Sequence, residues 1–533
     1  LKHSLVHSLH TPHLLQLPGC LRPCRQGHTA EVRSMIPACT CSSLERHTNG
    51  ETIEVVYQTR STIWDEARQA HEQLVQPRTI RTRTKVPKIH VMLVGIGGNN
   101  GSTFVAGLLA NRKKLCWETR TGTRQANFLG SFTQCATTHV GFALNSKDGS
   151  FSDVYKPIKE LLPMADPIDF EVSGWDISGV NLYDAALRSQ VLEPTLLEQL
   201  KSDLRAIAPM KAALNPEFIA ANQSTRCDNV MKGTNTQIID ALRADIRKAK
   251  DSAGKVVVLW TANTEMMMFP EITSIKDLEN RIAQNLPLPA SVLYCVAAIQ
   301  EGVIYLNGSP QNTFHPGIVE LAAKCGAFLG GSDFKSGQTR FKTVMSDFLI
   351  GSGLRLASVV SYNHLGNNDG RNLSEEKCFK SKKISKQGVL DDAVASNPLL
   401  YPEGNSTIDH EVVIKYVPFV GDSKRALDEY SSQIFMSGNS TICAYNICED
   451  SLLAVPLMYD LVVLADTLTR MEIDGESLGP ILSHLAFFFK APITNQKDYV
   501  VNMFMRQREM LTNLLKVAGG ILPDDGTMLS VGI

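Results

Sequence analysis

The segment of the chain best suited to chemistry is Gly95-Ile96-Gly97-Gly98-Asn99-Asn100-Gly101. A bound phosphate needs backbone N–H groups at close range with the positive end of a helix behind them, and side chains at such a turn would block the approach. Glycines at 95, 97 and 98 remove that obstacle. The usual dinucleotide fingerprint places its third glycine where Asn100 stands, so this turn is one residue longer than the standard form. Glu118 is the single candidate for the acid expected about twenty residues further on to hold a ribose, and no clear strand delivers it.

Four lysines, Lys382, Lys386, Lys424 and Lys490, form a second chemical group. An ammonium pairs with phosphate as a point charge and, when desolvated, exchanges protons near neutral pH. Lys490 stands out because Leu485-Ala486-Phe487-Phe488-Phe489 precedes it and Ala491-Pro492 follows, an apolar setting that depresses a lysine pKa. Residues 260–265 (WTANTE) follow an apolar run and are either ligand-binding groups at a strand's carboxyl end or a capped helix start. Residues 307–312 and 363–370 are dense in hydrogen-bonding side chains, as polyol recognition requires and as ordinary turns also require.

Positioning these groups requires a regular scaffold. Residues 89–94 form a short β-branched run that suits a buried parallel strand, and residues 102–112 after the turn read as helix. Further apolar runs at 256–260, 291–298 and 357–361 read as strands, with a helix between the turn and later runs at 236–250, where Ile238, Ile239, Leu242 and Ile246 share one face. Strands alternating with helices predict an α/β fold with a parallel sheet. The basic and Thr-rich residues 76–88 read as an exposed extended segment, 335–445 as a second domain, and 451 onward as a long buried helix.

Bulk properties narrow the class. Lys plus Arg (53) nearly cancels Asp plus Glu (54) and 43% of residues are hydrophobic, which implies neither a polyanion-binding surface nor a disordered chain, and no nucleic-acid partner is expected. The best membrane candidate, 452–465, is broken by Pro456 and Asp460, so no membrane span is expected. Twelve scattered Cys fit reduced thiols in the cytoplasm. Residues 1–50 hold six His and four Cys (Cys20, Cys24, Cys39, Cys41) in spacings that match no standard zinc pattern; they read as a disordered leader, and no metal is specified.

With these segments in hand, the chain resembles the inositol-3-phosphate synthase family from about residue 87 to 523. The motifs that carry the resemblance are VGIGGNNGST (94–103), GWDIS (174–178), FIAANQ (218–223), LWTANTE (259–265), LNGSPQNT (306–313), FKSGQT (334–339), SYNHLGNNDG (361–370), VGDSK (420–424), CEDSLLA (448–454) and FKAP (489–492). The resemblance implies a Rossmann-like NAD-binding domain with an inserted central α+β catalytic and oligomerisation domain. The implied boundaries are a leader at 1–50, the NAD-binding part at 51–335, the central domain at 336–447 and a return to the NAD-binding domain at 448–533. It also implies NAD as cofactor, D-glucose 6-phosphate as substrate, 1D-myo-inositol 3-phosphate as product and a cytoplasmic homotetramer.

Position by position, the resemblance assigns the pyrophosphate to Gly97, Gly98, Asn99, Asn100 and Gly101 and the adenosine ribose to Asp176. Gln223, Arg226, Thr261, Ala262, Asn263, Thr264, Gly308 and Ser309 complete the implied NAD cleft. Asp333, Ser336, Asn367, Asn368, Asp369, Gly421, Asp422, Asp450 and Ser451 line the implied nicotinamide and substrate region. Lys382 and Lys490 are implied in proton transfer and oxyanion stabilisation, Lys386 and Lys424 in holding the phosphate or sugar oxygens, and Asp333 is counted with these catalytic residues. The chain departs from the family's usual residues at Ile96 (usually Trp), Met266 (Arg), Ser332 (Asp) and Tyr445 (His), and Ser332 removes a carboxylate beside Asp333.

Overall fold

The computed structural model describes residues 44–145, 147–404, 407–494 and 500–523. At its start Leu44–Thr48 (β1), Thr52–Asp65 (β2) and Ala70–Arg83 (β3) form an antiparallel sheet, which Met471–Ile473 extends from the far end of the chain. The extended reading of 76–88 therefore becomes one arm of a long hairpin as far as Arg83. Residues 44–48 correct the leader expectation: they form β1, whose backbone pairs with β2 while Leu44 packs on the core. The cysteines at 20, 24, 39 and 41 lie outside the described residues.

Ile89–Val94 (β4) opens the central sheet and leads through the glycine turn into Asn99–Arg112 (α1). Glu171–Asp176 (β5), Met210–Lys211 (β6), Lys255–Trp260 (β7), Ile304–Asn307 (β8) and Leu329–Gly331 (β9) complete it, all parallel, in the order β6-β5-β4-β7-β8-β9. That is the doubly wound dinucleotide-binding order, with its direction reversing between β4 and β7. Alternate residues of these strands enter two cores. Val91, Leu93, Val257 and Leu259 pack with Phe104 of α1, and Met92, Val94, Val256 and Val258 pack with Leu242 and Ile246 of Asn235–Ser252 (α2). Both faces are thus covered, which is why the strands read as continuous apolar runs.

Residues 291–298 are not a strand but part of the helix Ala290–Gln300 (α3), between β7 and β8. Every residue from Ala290 to Ile299 is buried, so the helix is apolar on all sides and its sequence carries no 3.6-residue alternation to distinguish it from a strand.

After β9 the helix Gly337–Gly351 (α4) crosses to a second sheet of Arg355–Leu365 (β10), Asp409–Tyr416 (β11), Ser423–Gln433 (β12) and Asn439–Glu449 (β13), ordered β11-β10-β12-β13. Only β10 and β11 of these are parallel, joined through the lysine-bearing helix Glu376–Gln387 (α5). β13 runs straight into Asp450–Thr469 (α6), which returns the chain to the first core. α6 is long and apolar enough to cross a membrane but is packed inside the protein. Its Asp460 accepts hydrogen bonds from the Ser131 and Thr133 hydroxyls and from the Phe132 and Thr133 backbone N–H groups at 2.6–2.8 Å.

Candidate active site

The glycine turn and residues 261–263 sit at the carboxyl ends of β4 and β7, on either side of the reversal point where open α/β sheets bind ligands. Gly95 has φ +89°, and a Cβ there would lie 2.7 Å from Ala262 Cα. At Gly101 a Cβ would lie 2.5 Å from the carbonyl oxygens of Gly95 and Ile96. The first glycine lets the two loops close on each other and the last lets α1 begin directly over its own turn. Ile96 points into the core and is fully buried.

Asp176 ends β5 and accepts the Gly97 and Ser178 N–H groups, both at 2.9 Å. Burial pushes its carboxyl up, opposed by those bonds and by the guanidinium groups of Arg226 and Arg188. Arg226 lines the same cavity, and its buried Nε has no hydrogen-bond partner. A glycine-rich cradle, an open helix N-terminus, a buried acid and an unsatisfied cationic donor fit an NAD pyrophosphate and ribose. Glu118, by contrast, sits in an outlying hairpin and accepts the Thr123 hydroxyl at 2.7 Å.

The cavity, about 1510 Å³ and partly open to solvent, continues to the lysines. Asp333, almost fully buried beyond the end of β9, accepts Lys382 Nζ at 2.9 Å and Lys490 Nζ at 3.1 Å on one oxygen and the Ser385 hydroxyl at 2.7 Å on the other. Burial alone would push the Asp333 carboxyl up; the two ammonium groups and the hydroxyl reverse this and hold it well below the usual range. Burial lowers Lys382 too, but Asp333 and Asp369 overcome it and keep that ammonium charged. Lys490, for which burial outweighs Asp333, falls to about 8. Lys386 donates at 3.3–3.4 Å to Asn363 Oδ1 and Gln338 Oε1, and burial plus the surrounding lysines push it well below its ordinary value. Lys424 pairs with Asp450 at 3.4 Å. One helix, α5, therefore presents a charged lysine and an easily deprotonated one, a single turn apart.

Twenty of the residues assigned from sequence line this one cavity: Gly98, Asn99, Asn100, Asp176, Arg226, Thr261, Ala262, Asn263, Gly308, Ser309, Asp333, Ser336, Asn367, Asn368, Asp369, Lys382, Lys386, Lys424, Asp450 and Lys490. The other seven stand behind it. Gly97 and Gly101 shape the turn, Gln223 accepts the Asn263 and Asn368 amides at 3.1 and 2.9 Å, and the Thr264 N–H donates to Asp369 at 3.1 Å. Gly421 accepts the Gly366 N–H, and Asp422 joins Asn99 at 3.1 Å to Ser451 at 2.8 Å, tying α1 to the start of α6. Ser332 accepts the Asn307 amide at 3.1 Å, leaving Asp333 as the partner shared by Lys382 and Lys490.

Sequence reasoning missed the support beneath the lysines. Lys342 donates to His410 Nε2 at 2.9 Å, and His410 is tied through both its ring and its carbonyl to Gln387 at the end of α5. Burial lowers Lys342 to about 8 and His410 to about 3. Glu265 also went unassigned; it accepts the Ala290 and Ser291 N–H groups at the start of α3, and burial raises it to about 7. Its position at the end of LWTANTE, two residues after Asn263, was the available signal. Among the described residues no cluster of three His, Cys, Asp or Glu is placed to hold a metal ion.

The family model described as myo-inositol-1-phosphate synthase matches residues 89–516, spanning both sheets and the return helix. The chain belongs to the inositol-3-phosphate synthase family. It is 48% identical over 494 residues to inositol-3-phosphate synthase 1 of Bos taurus, covering 90% of this chain and 87% of that protein. Inositol-3-phosphate synthase 1 of Oryza sativa subsp. japonica is 46% identical over 473 residues, covering 86% of this chain and 91% of that protein. The crystal structure of inositol-3-phosphate synthase from Caenorhabditis elegans superposes with a TM-score of 0.87 at 41% identity, covering 92% of this chain and 98% of that one. The Rossmann-like fold and the NAD cofactor of this synthase family follow from these matches.

Proposed function

We propose that the chain converts D-glucose 6-phosphate to 1D-myo-inositol 3-phosphate, with NAD returned unchanged at the end of each turnover. The observation that carries this reading is that a dinucleotide turn and a cluster of four lysines, Lys386 and Lys490 buried and Lys382 and Lys424 half-buried, open into a single cavity, with Asp333 shared by Lys382 and Lys490. NAD supplies a hydride acceptor for C5 of the open-chain sugar and gives the hydride back after ring closure. The residues around it must then do three things: move a proton at the C5 hydroxyl, remove one from C6 beside the new ketone, and hold negative charge on oxygen while C6 bonds to the C1 aldehyde.

Lys490, at about 8, is suited to accept and return a proton near neutral pH. Lys382 stays an ammonium and stabilises the oxyanion. Asp333 holds both amines at one point, and its own low pKa keeps it from competing for their protons. Lys386 and Lys424 hold the phosphate, whose two negative charges would draw Lys386 back to its ammonium form. Gly98, Asn99 and Asn100 hold the pyrophosphate and Asp176 the adenosine ribose.

The central sheet at 336–447 serves as the catalytic and tetramer-forming domain between the NAD-binding part at 51–335 and the return at 448–533. In support, Tyr362, Leu427 and Tyr445 stand in register across its outward face, and Tyr362, Tyr445 and Ile447 are exposed. The eight cysteines among the described residues are unpaired, which suits a reducing, cytoplasmic setting.

Glucose 6-phosphate with catalytic NAD should yield a phosphorylated cyclitol with no steady growth of NADH absorbance. An ordinary NAD-linked dehydrogenase would accumulate NADH in proportion to substrate consumed, and that outcome would remove the isomerase reading.

A further inference from the structure

A second cleft of about 1300 Å³, partly open to solvent, lies at the amino ends of the central strands, at the far end of the sheet from the glycine turn. Its apolar floor is formed by Val256 at the start of β7, Ile304 at the start of β8 and Phe328 just before β9. Five cations converge on it from three separate segments: Arg83 and Lys85 before β4, Lys250 and Lys255 around the end of α2, and Arg470 after α6.

Among the described residues, the one carboxylate bonded to these five is Asp466, fully buried behind the wall, with Lys255 Nζ at 3.1 Å and Arg470 Nε at 3.0 Å. Their other partners include carbonyls: Arg83 donates to Thr469 O at 3.0 Å, Lys250 to Glu301 O at 2.8 Å, and Arg470 to Arg83 O and Pro163 O at 2.6 Å. The Glu301 carboxylate is taken by Arg243 and Arg247. Bonds to carbonyls fix a cation in place and offset part of its field at a helix end, but they leave its formal charge. Burial, with Arg470 and Arg83 nearby, pulls the Lys255 ammonium below its ordinary value in spite of Asp466.

We propose that this cleft is a second anion-binding site, distinct from the NAD and substrate cavity, for a small molecule bearing two or more phosphate groups. Several held cations facing one buried carboxylate leave room for more than one phosphate charge, and the apolar floor receives the body that carries the phosphates. The site is connected to the catalytic one by rigid elements. α6 runs from Asp450 in the active-site cavity to Thr469 in this cleft, with Arg470 just after it, and β7 runs from Lys255 here to Trp260 there.

The test uses inorganic tripolyphosphate as probe, titrated calorimetrically into the NAD-loaded protein at fixed ionic strength, with the variant K85E/K250E as comparison. Both side chains are exposed and lie outside the catalytic cavity. The expected result is saturable binding that survives saturating glucose 6-phosphate and weakens at least about tenfold in the variant, as two charge reversals near a polyanion require. K85A/K250A should weaken binding in the same direction by a smaller factor, and unchanged melting temperatures establish that both variants fold. No saturable binding, equal affinity in wild type and K85E/K250E, or displacement by glucose 6-phosphate would each overturn the proposal.

Discussion

Lys490 and Lys382 touch the same oxygen of Asp333, yet their proton affinities are driven in opposite directions. The separation provides a group that can exchange a proton beside one that stays charged, and it leads to a test by pH. An ordinary lysine with pKa near 10.5 is almost wholly protonated at pH 7; one at about 8 passes to the neutral amine between pH 7 and 9. Because the neutral amine accepts the proton, turnover should rise through about pH 8, and Lys490→Arg should remove that limb. Lys490→Ala should lower the rate by roughly 10²–10⁴, the usual span for a lost acid–base group, while NAD retention stays close to wild type. A variant with an undiminished rate and the same pH limb would take Lys490 out of the proton transfer. The phenylalanines before Lys490 made its burial legible in the sequence. Lys342 offered no such sign: it is one cation in a helix of mixed polarity, and its hydrogen-bond partner His410 lies on a strand 68 residues away.

Element geometry depends on glycine at the turn in a way that can be separated from glycine's general flexibility. Gly101 lies inside α1, where a Cβ would meet two backbone carbonyl oxygens at 2.5 Å, and neither can move without unmaking the turn. Gly351 ends α4, and a Cβ added there would have no heavy atom within 4 Å. Gly101→Ala should therefore weaken NAD binding at least about tenfold and lower the unfolding midpoint, as overpacking against fixed atoms does. Gly351→Ala should leave binding alone and stabilise by up to about 1 kcal/mol through a less flexible unfolded chain. Denaturant titration with and without NAD measures both, and equal behaviour of the two variants would refute a steric role for Gly101. β4, α1, α2, β7 and α6 were legible because each has one kind of surroundings along its length. α3 was not, since a helix buried on every side loses the alternation that identifies it, and β1 was hidden because four of its five residues face outward and its order comes from backbone pairing with β2.

At the scale of the whole molecule, the chain leaves the dinucleotide sheet through α4 and returns through α6, so the second sheet is anchored at both ends beside the cavity. Its inner side carries α4 and α5 with their lysines, and on its outer side none of the described residues covers Tyr362, Tyr445 and Ile447. Contiguous exposed apolar side chains of this kind are a feature of surfaces that associate with other chains. In the proposed tetramer, a twofold contact through this face would set the same row against itself. Tyr445→Glu with Ile447→Glu would set like charges opposite one another at that contact, costing association several kcal/mol while leaving the buried side of the sheet unchanged. Light scattering on the wild-type protein should give the mass of four chains, and the double variant should give a smaller species with its melting temperature lowered through the loss of subunit contacts. A double variant that keeps the wild-type mass would place the subunit contact elsewhere on the molecule.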